Sequence, residues 1–161
     1  MKKLILAILL VSISTSFSQT VDDYVNLLRS DLKTEKSKLI TETMDFTEVE
    51  ATKFWPIYNE YSLKLNKIGD KRIAFIKDFA ANYDNMTDTK ADAIMEEAFD
   101  FQEDRTDLLE DLYKDLEKVL GATKAAKLVQ LENMINILID LEVNSELPLI
   151  EKTKTQPAQN K

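Results

Sequence analysis

The chain has 161 residues, a formal net charge of −8 and 44% hydrophobic residues, and it contains neither histidine nor cysteine. The length fits one domain with its own core, and the lack of cysteine excludes disulfides and thiolate metal sites. The lack of histidine removes serine and cysteine triads and the Glu-x-x-His iron sites of helical bundles, so we expect no enzyme and no cofactor. The acidic charge disfavours nucleic-acid binding.

Residues 1–18 have the pattern of a cleaved export signal. Two lysines precede an apolar run over residues 4–11, which is too short to span a bilayer stably. Ser16 and Ser18 supply small residues before the expected cleavage after position 18. The sequence therefore predicts export to the periplasm, with residues 19–143 forming the folded domain.

The composition and spacing of the mature chain predict an all-α fold. Only two glycines and three prolines are present, which leaves little material for the tight turns of a β-fold. Apolar residues recur near helical spacing from residue 21 onward and predict a first helix over 21–43.

The best helix-start signal in the chain opens the second helix. Thr47 can accept a bond from the amide of Glu50, whose carboxylate can reach back to the amide of Thr47. This capping box predicts a long helix over 47–82. Trp55 belongs to a dense aromatic cluster inside it, and the following residue, Pro56, predicts a bend because it removes a backbone hydrogen bond.

Two further helices are predicted over 87–120 and 122–143, separated by Gly121 as a helix-ending glycine. The third helix carries twelve acidic and four basic residues. We interpret its acidic side as a solvated face and not a metal site, because carboxylates along a rod do not converge on one cation. Residues 144–161 are expected to form a mobile tail. Four helices joined by short links favour an extended, curved array of antiparallel hairpins.

Cationic residues lie among the apolar residues of the second helix. They are Lys53, Lys64, Lys67, Lys71 and Arg72. A face that mixes positive charge with apolar side chains can attract an acidic polypeptide at a distance and then hold its exposed hydrophobic side chains. One hypothesis is therefore a client-binding surface. The alternative is a core stripe with lysines at its solvent margins.

The sequence resembles the Spy/CpxP group of small exported helical proteins with LTxxQ motifs. The first motif corresponds to Phe46-Thr47-Glu48-Val49-Glu50, followed by a Phe-Trp-Pro-x-Tyr-x-Glu-Tyr run like that of Bacteroidetes members, and the second, looser match is Leu120 to Glu132. The resemblance implies an antiparallel helical dimer in the periplasm that acts as an ATP-independent chaperone. Metal-binding histidines of the family have no counterpart here.

Two functional hypotheses follow. The first is a chaperone-like protein that binds unfolded or partly folded polypeptides. The second is an envelope-stress sensor, tied to a sigma-factor pathway of the extracytoplasmic-function type, that binds one membrane signalling protein; concentrated charge on the third helix favours such selectivity. A purely structural envelope protein is a third alternative. A long helix with an uncovered apolar side also favours a homodimer.

Overall fold

The computed structural model of the protein describes residues 34–151. Every regular element in this part of the chain is helical, which confirms the all-α prediction. The helices are α1 (34–44 within the described residues), α2 (Glu48–Asn82), α3 (Asp88–Leu120) and α4 (Ala122–Ser145), with a short 3-10 turn at Tyr83–Asn85. The predicted export signal, residues 21–33 of the predicted first helix and residues 152–161 of the predicted tail lie outside the described residues.

The described residues belong to two units, 34–43 to the first and 44–151 to the second. The described part of the first unit is helical, and Ile40 within it is fully buried. Helix α1 ends before Asp45, whose positive φ of 47° is a left-handed backbone conformation that aspartate adopts more readily than most residues.

Helix α2 begins at the predicted capping box. The Thr47 hydroxyl accepts a bond from the Glu50 amide at 3.3 Å, and the Glu50 carboxylate accepts one from the Thr47 amide at 2.9 Å. The helix then continues through Pro56 to Asn82 without interruption. Pro56 has no amide hydrogen to donate to the carbonyl of Thr52, and both residues are exposed.

Helices α2 and α3 form an antiparallel hairpin. The Thr87 hydroxyl accepts a bond from the Lys90 amide at 3.2 Å and caps α3. Lys90 forms an ion pair with Asp78 near the turn. A buried apolar cluster lies between the helices at the turn end of the hairpin. It consists of Phe79, Met86 and Ile94, and the partly buried residues packed against it are Phe75, Tyr83, Ala91 and Leu147.

Gly121 separates α3 from α4, as predicted. Its φ of 82° lies in a region that favours glycine, and its amide donates to the Glu117 carbonyl at 3.0 Å, which ends α3. Helix α4 begins at the next residue and extends to Ser145, two residues beyond the predicted end at 143. Helix α4 packs against α3 and so adds a third helix to the α2–α3 hairpin.

Candidate functional site

Polar side chains join one side of α4 to α2 at three levels. The α4 residues are Lys124, Glu132 and Asp140, spaced eight residues apart, and their α2 partners are Glu50, the pair Tyr58 and Tyr61, and Arg72. Both sets run in the same direction along their helices, so α4 lies parallel to α2. These contacts fix which side of α4 faces the hairpin and which side faces outward.

The first level is an ion pair at the N-terminal ends of both helices. The Lys124 ammonium donates to both carboxylate oxygens of Glu50 at 2.6 and 2.7 Å. This bond, helped by the Thr47 amide, lowers the pKa of Glu50 to about 2. The capping residue of α2 therefore also anchors the start of α4.

This ion pair predicts an acid-dependent part of the stability. Because the folded protein lowers the pKa of Glu50 from 4.5 to about 2, the contribution is present above about pH 4.5 and is lost as the pH falls towards 2. Urea unfolding of Glu50→Gln, which keeps an amide oxygen for the capping box, should show a deficit at pH 7 that shrinks with acidification. A deficit that stays constant from pH 7 to 2 would contradict this assignment.

The second level is a fully buried carboxylate. Glu132 is 0% exposed and accepts bonds from the hydroxyls of Tyr58 at 2.6 Å and Tyr61 at 3.1 Å. Burial, reinforced by the negative charge of Glu132, raises the pKa of both tyrosines well above the ordinary value of 10. The two hydroxyls therefore stay protonated and serve as donors to the buried charge.

The third level joins all three helices through a cluster that we call the arginine–aspartate cluster: Arg72 of α2, Arg105 of α3 and Asp140 of α4. Each arginine donates to a different oxygen of Asp140, at 2.7 and 2.8 Å. The three side chains are 15 to 19% exposed. Both guanidinium groups also lie over the ring of Phe101, at 4.9 and 5.1 Å from its centroid.

The outward side of α4 carries a continuous apolar surface, which we call the apolar stripe. It consists of Met134, Ile137, Leu138 and Leu141, whose exposed fractions are 63, 65, 65 and 67%. Spacings of three, one and three residues put these side chains on one face of a helix. Leu128, Glu132 and Ile135 are buried on the other side, so α4 is apolar on both sides.

The apolar stripe has few exposed charges near it, with Glu142 at the edge next to Leu141. Between Lys127 and Asp140 the sequence holds one charged residue, Glu132, and that residue is buried. Helix α3 by contrast carries acidic residues on nearly every turn. Contiguous exposed apolar patches are uncommon on soluble proteins, and where they occur they often mark interaction sites.

The predicted client-binding cations of α2 lie in two environments. The four lysines, Lys53, Lys64, Lys67 and Lys71, are exposed, and Arg72 is largely buried. Lys64 pairs with Glu60 on its own helix at 2.8 Å, and Lys71 pairs with Asp104 of α3 at 2.6 Å. Arg72 belongs to the arginine–aspartate cluster. Client binding by these residues remains a prediction, while three of the five cations make intramolecular ion pairs.

Some acidic residues of α3 lie close to Lys64 and Lys71 of α2. The bond to Asp104, with added attraction from Asp100, raises the pKa of Lys71, and the pKa of Lys64 is raised chiefly by Glu60 and also by Asp111. Within residues 34–151, no three acidic side chains converge as a group that could hold a metal ion. The acidic row of α3 thus complements the basic side of α2 across the hairpin.

The apolar spacing of the fourth helix predicts one main stripe, formed by Leu128, Leu131, Ile135 and Leu138 and widened by Val129, Met134 and Leu141. The structure instead exposes Leu138, Met134 and Leu141, so the sequence did not identify this surface. Helical periodicity shows which residues share a face, but it does not show whether a second helix covers that face. The available signal was that the long interval between Lys127 and Asp140 holds a single charged residue, Glu132.

Comparison of the chain with known protein families, with curated proteins and with solved structures finds no match in any of the three. None of the helices among the described residues combines the length and the apolar character that crossing a membrane requires.

Proposed function

We propose that this protein is an ATP-independent, chaperone-like protein of the periplasm, of the Spy/CpxP kind, that binds unfolded or partly folded polypeptides. The observation that supports this function best is the apolar stripe of α4. Four neighbouring side chains, each about two-thirds exposed, offer a binding surface for apolar segments without demanding a particular sequence.

The chemistry of the apolar stripe suits transient binding to varied partners. Met134 has a flexible, polarisable side chain that adapts to different shapes, and the three aliphatic neighbours add area without directional bonds. The underlying helix is held by buried polar contacts at Glu132 and Asp140, so the surface stays in place when a client leaves. The chain's negative charge would attract basic clients before apolar contact forms.

The proposed activity is tested by light scattering from a client protein as it unfolds and aggregates. Wild-type protein should suppress the scattering at a stoichiometric ratio without nucleotide. Replacing Leu138 and Leu141 by serine should raise the amount needed several-fold, because the apolar stripe loses half of its residues. If the wild type suppresses no aggregation, the proposed function is wrong.

Leu63 provides the matched control for this experiment. It is an exposed leucine of α2, 64% exposed, and lies outside the apolar stripe. Leu63→Ser should leave suppression unchanged, and all three substitutions should leave the helical circular dichroism intact because surface changes alter stability little. Equal loss of activity in Leu63→Ser and in the double variant would assign the effect to general surface hydrophobicity.

A specific observation favours the second function, a sensor for one membrane signalling protein. Met95 and Phe99 form an exposed apolar pair one turn apart on the acidic helix α3, at 42 and 64% exposure. Such a pair among carboxylates fits a single partner that combines apolar and basic groups. Affinity capture from envelope extract separates the two functions: many unrelated clients support the chaperone, and one dominant partner that Phe99→Ser abolishes supports the sensor.

A further inference from the structure

We infer that the polypeptides bound by the apolar stripe are apolar segments flanked at one end by lysine or arginine, and that the C-terminal end of α4 binds those basic residues. The groups that bind them are the carboxylates of Glu142 and Glu146. This inference rests on the proposed function, because it specifies the class of client that the same surface takes.

Glu142 directly adjoins the apolar stripe. It follows Leu141 in the sequence and lies one helical turn beyond Leu138, so the two side chains are neighbours on the surface of α4. Glu146 lies one further turn along. Both glutamates are exposed, and neither forms an ion pair within residues 34–151. The two carboxylates are therefore available to a cation that a client brings.

The end of α4 adds to this negative charge. Its last turn contains no basic residue, so no side chain there offsets the partial negative charge of the carbonyls at the helix end. Helix α3 lies alongside through the bond of Arg105 to Asp140, and Glu103 and Asp107 are exposed within one turn of that arginine. Arg72 and Arg105 are less than one-fifth exposed and both bond to Asp140. The charge presented to solvent at this end of the stripe is therefore acidic, and it attracts basic groups.

The opposite end of the apolar stripe has no comparable charge. The first exposed charged residue of α4 before Met134 is Lys127, about 10 Å away along the helix. The exposed residues between them, Gln130 and Asn133, are uncharged. Because the adjoining charge is acidic and lies at one end only, a bound client should have a preferred direction, with its basic residues towards the C-terminal end of α4.

The length of the apolar stripe sets the form of the client segment. Met134 to Leu141 spans about 10 Å of helix, and Glu142 and Glu146 lie about 12 and 18 Å beyond Met134. An extended chain advances about 3.3 Å per residue, so three or four apolar residues cover the stripe. A lysine or arginine within the next two positions then reaches the carboxylates. The expected client segment is thus a short apolar run with a basic residue immediately beside it.

Fluorescence anisotropy with two labelled peptides tests this client class. Both peptides carry the same run of four apolar residues, which is followed by two lysines in one peptide and by two glutamates in the other. The wild-type protein should bind the lysine peptide about three- to tenfold more tightly at low salt, because exposed ion pairs replace like-charge repulsion. This ratio should fall towards one in 1 M salt, where the screening length is about 3 Å. Equal affinities at low salt would overturn the inference.

Glu142→Lys tests whether the preference arises beside the apolar stripe. With Glu146 unchanged, the substitution cancels the local negative charge, so the ratio of the two affinities should fall close to one. Glu117→Lys is the matched control, because it replaces an exposed glutamate in the last turn of α3 and changes the net charge equally. The control should keep the wild-type ratio, and both variants should keep their helical circular dichroism. An equal loss of preference in both variants would assign it to net charge and overturn the inference.

The double variant Leu138→Ser, Leu141→Ser distinguishes failure of the client class from failure of the proposed function. It should weaken binding of both peptides. If the wild type binds both peptides equally and the double variant binds neither well, the client class is wrong and the proposed function stands. If the wild type binds neither peptide, both are wrong. Undiminished binding of the lysine peptide by the double variant would show that the apolar stripe is not its site and would also overturn the inference.

Discussion

Replacing Asp140 with alanine is expected to lower the free energy of unfolding by about 3 kcal/mol. The substitution removes the acceptor of both Arg72 and Arg105, each less than one-fifth exposed, and leaves two neighbouring positive charges without their shared partner. Because these residues come from three different helices, the loss should weaken the attachment of α4 to the hairpin. Urea unfolding monitored by circular dichroism measures the effect.

Asp104→Ala is the matched control for this prediction. Asp104 also accepts a bond from a cation on a neighbouring helix, but its partner Lys71 is 71% exposed. Exposed ion pairs contribute little, so the control should cost less than about 1 kcal/mol. Equal losses in Asp140→Ala and Asp104→Ala would show that the arginine–aspartate cluster does not hold the three helices together.

Replacing Tyr58 and Tyr61 together by phenylalanine is expected to cost about 3 kcal/mol or more, since a bond to a buried charged group contributes about 1.5 to 3 kcal/mol. The substitutions preserve the rings and remove the two hydroxyls that donate to Glu132. Adding Glu132→Leu to the double variant should restore part of the loss, because the buried charge is then gone. No recovery in the triple variant would contradict this explanation.

The same tyrosines predict a loss of stability at alkaline pH. Folding raises the pKa of both tyrosines above the ordinary value of 10, so their protonated hydroxyls stabilise the folded protein. This stabilisation is fully present below about pH 10 and declines as the pH rises further. Unfolding free energies measured from pH 8 to 11 should fall in the wild type above pH 10 and fall less steeply in the Tyr58→Phe, Tyr61→Phe variant. Parallel pH profiles would contradict the prediction.

The sequence predicted the helices well because their boundaries depend on local chemistry. The capping box of Thr47 and Glu50 and the helix-ending Gly121 act within a few residues of the chain, and the structure contains both. The end of α4 at Ser145 was missed by two residues, because no capping residue marks it in the sequence.

Interactions between helices could not be predicted from the same local patterns. Arg72 and Arg105 are charged positions on helices with apolar periodicity, but no local pattern indicates that both share Asp140, 68 and 35 residues away. Glu132 is likewise a single charged position in an apolar helix, and no local pattern marks it as the acceptor of two tyrosine hydroxyls. The exposed side of α4 was missed for the same reason: long-range packing decides which apolar side chains are covered.

Site-specific photocrosslinking tests the central claim most directly, that the apolar stripe of α4 is where polypeptides bind. A photoreactive phenylalanine analogue is placed in turn at Leu138, in the apolar stripe, and at Lys67, an exposed residue among the predicted client-binding cations of α2. Irradiation with an unfolding client should give client adducts from position 138 and few or none from position 67. Adducts from position 67 with none from position 138 would contradict the claim and place binding on α2.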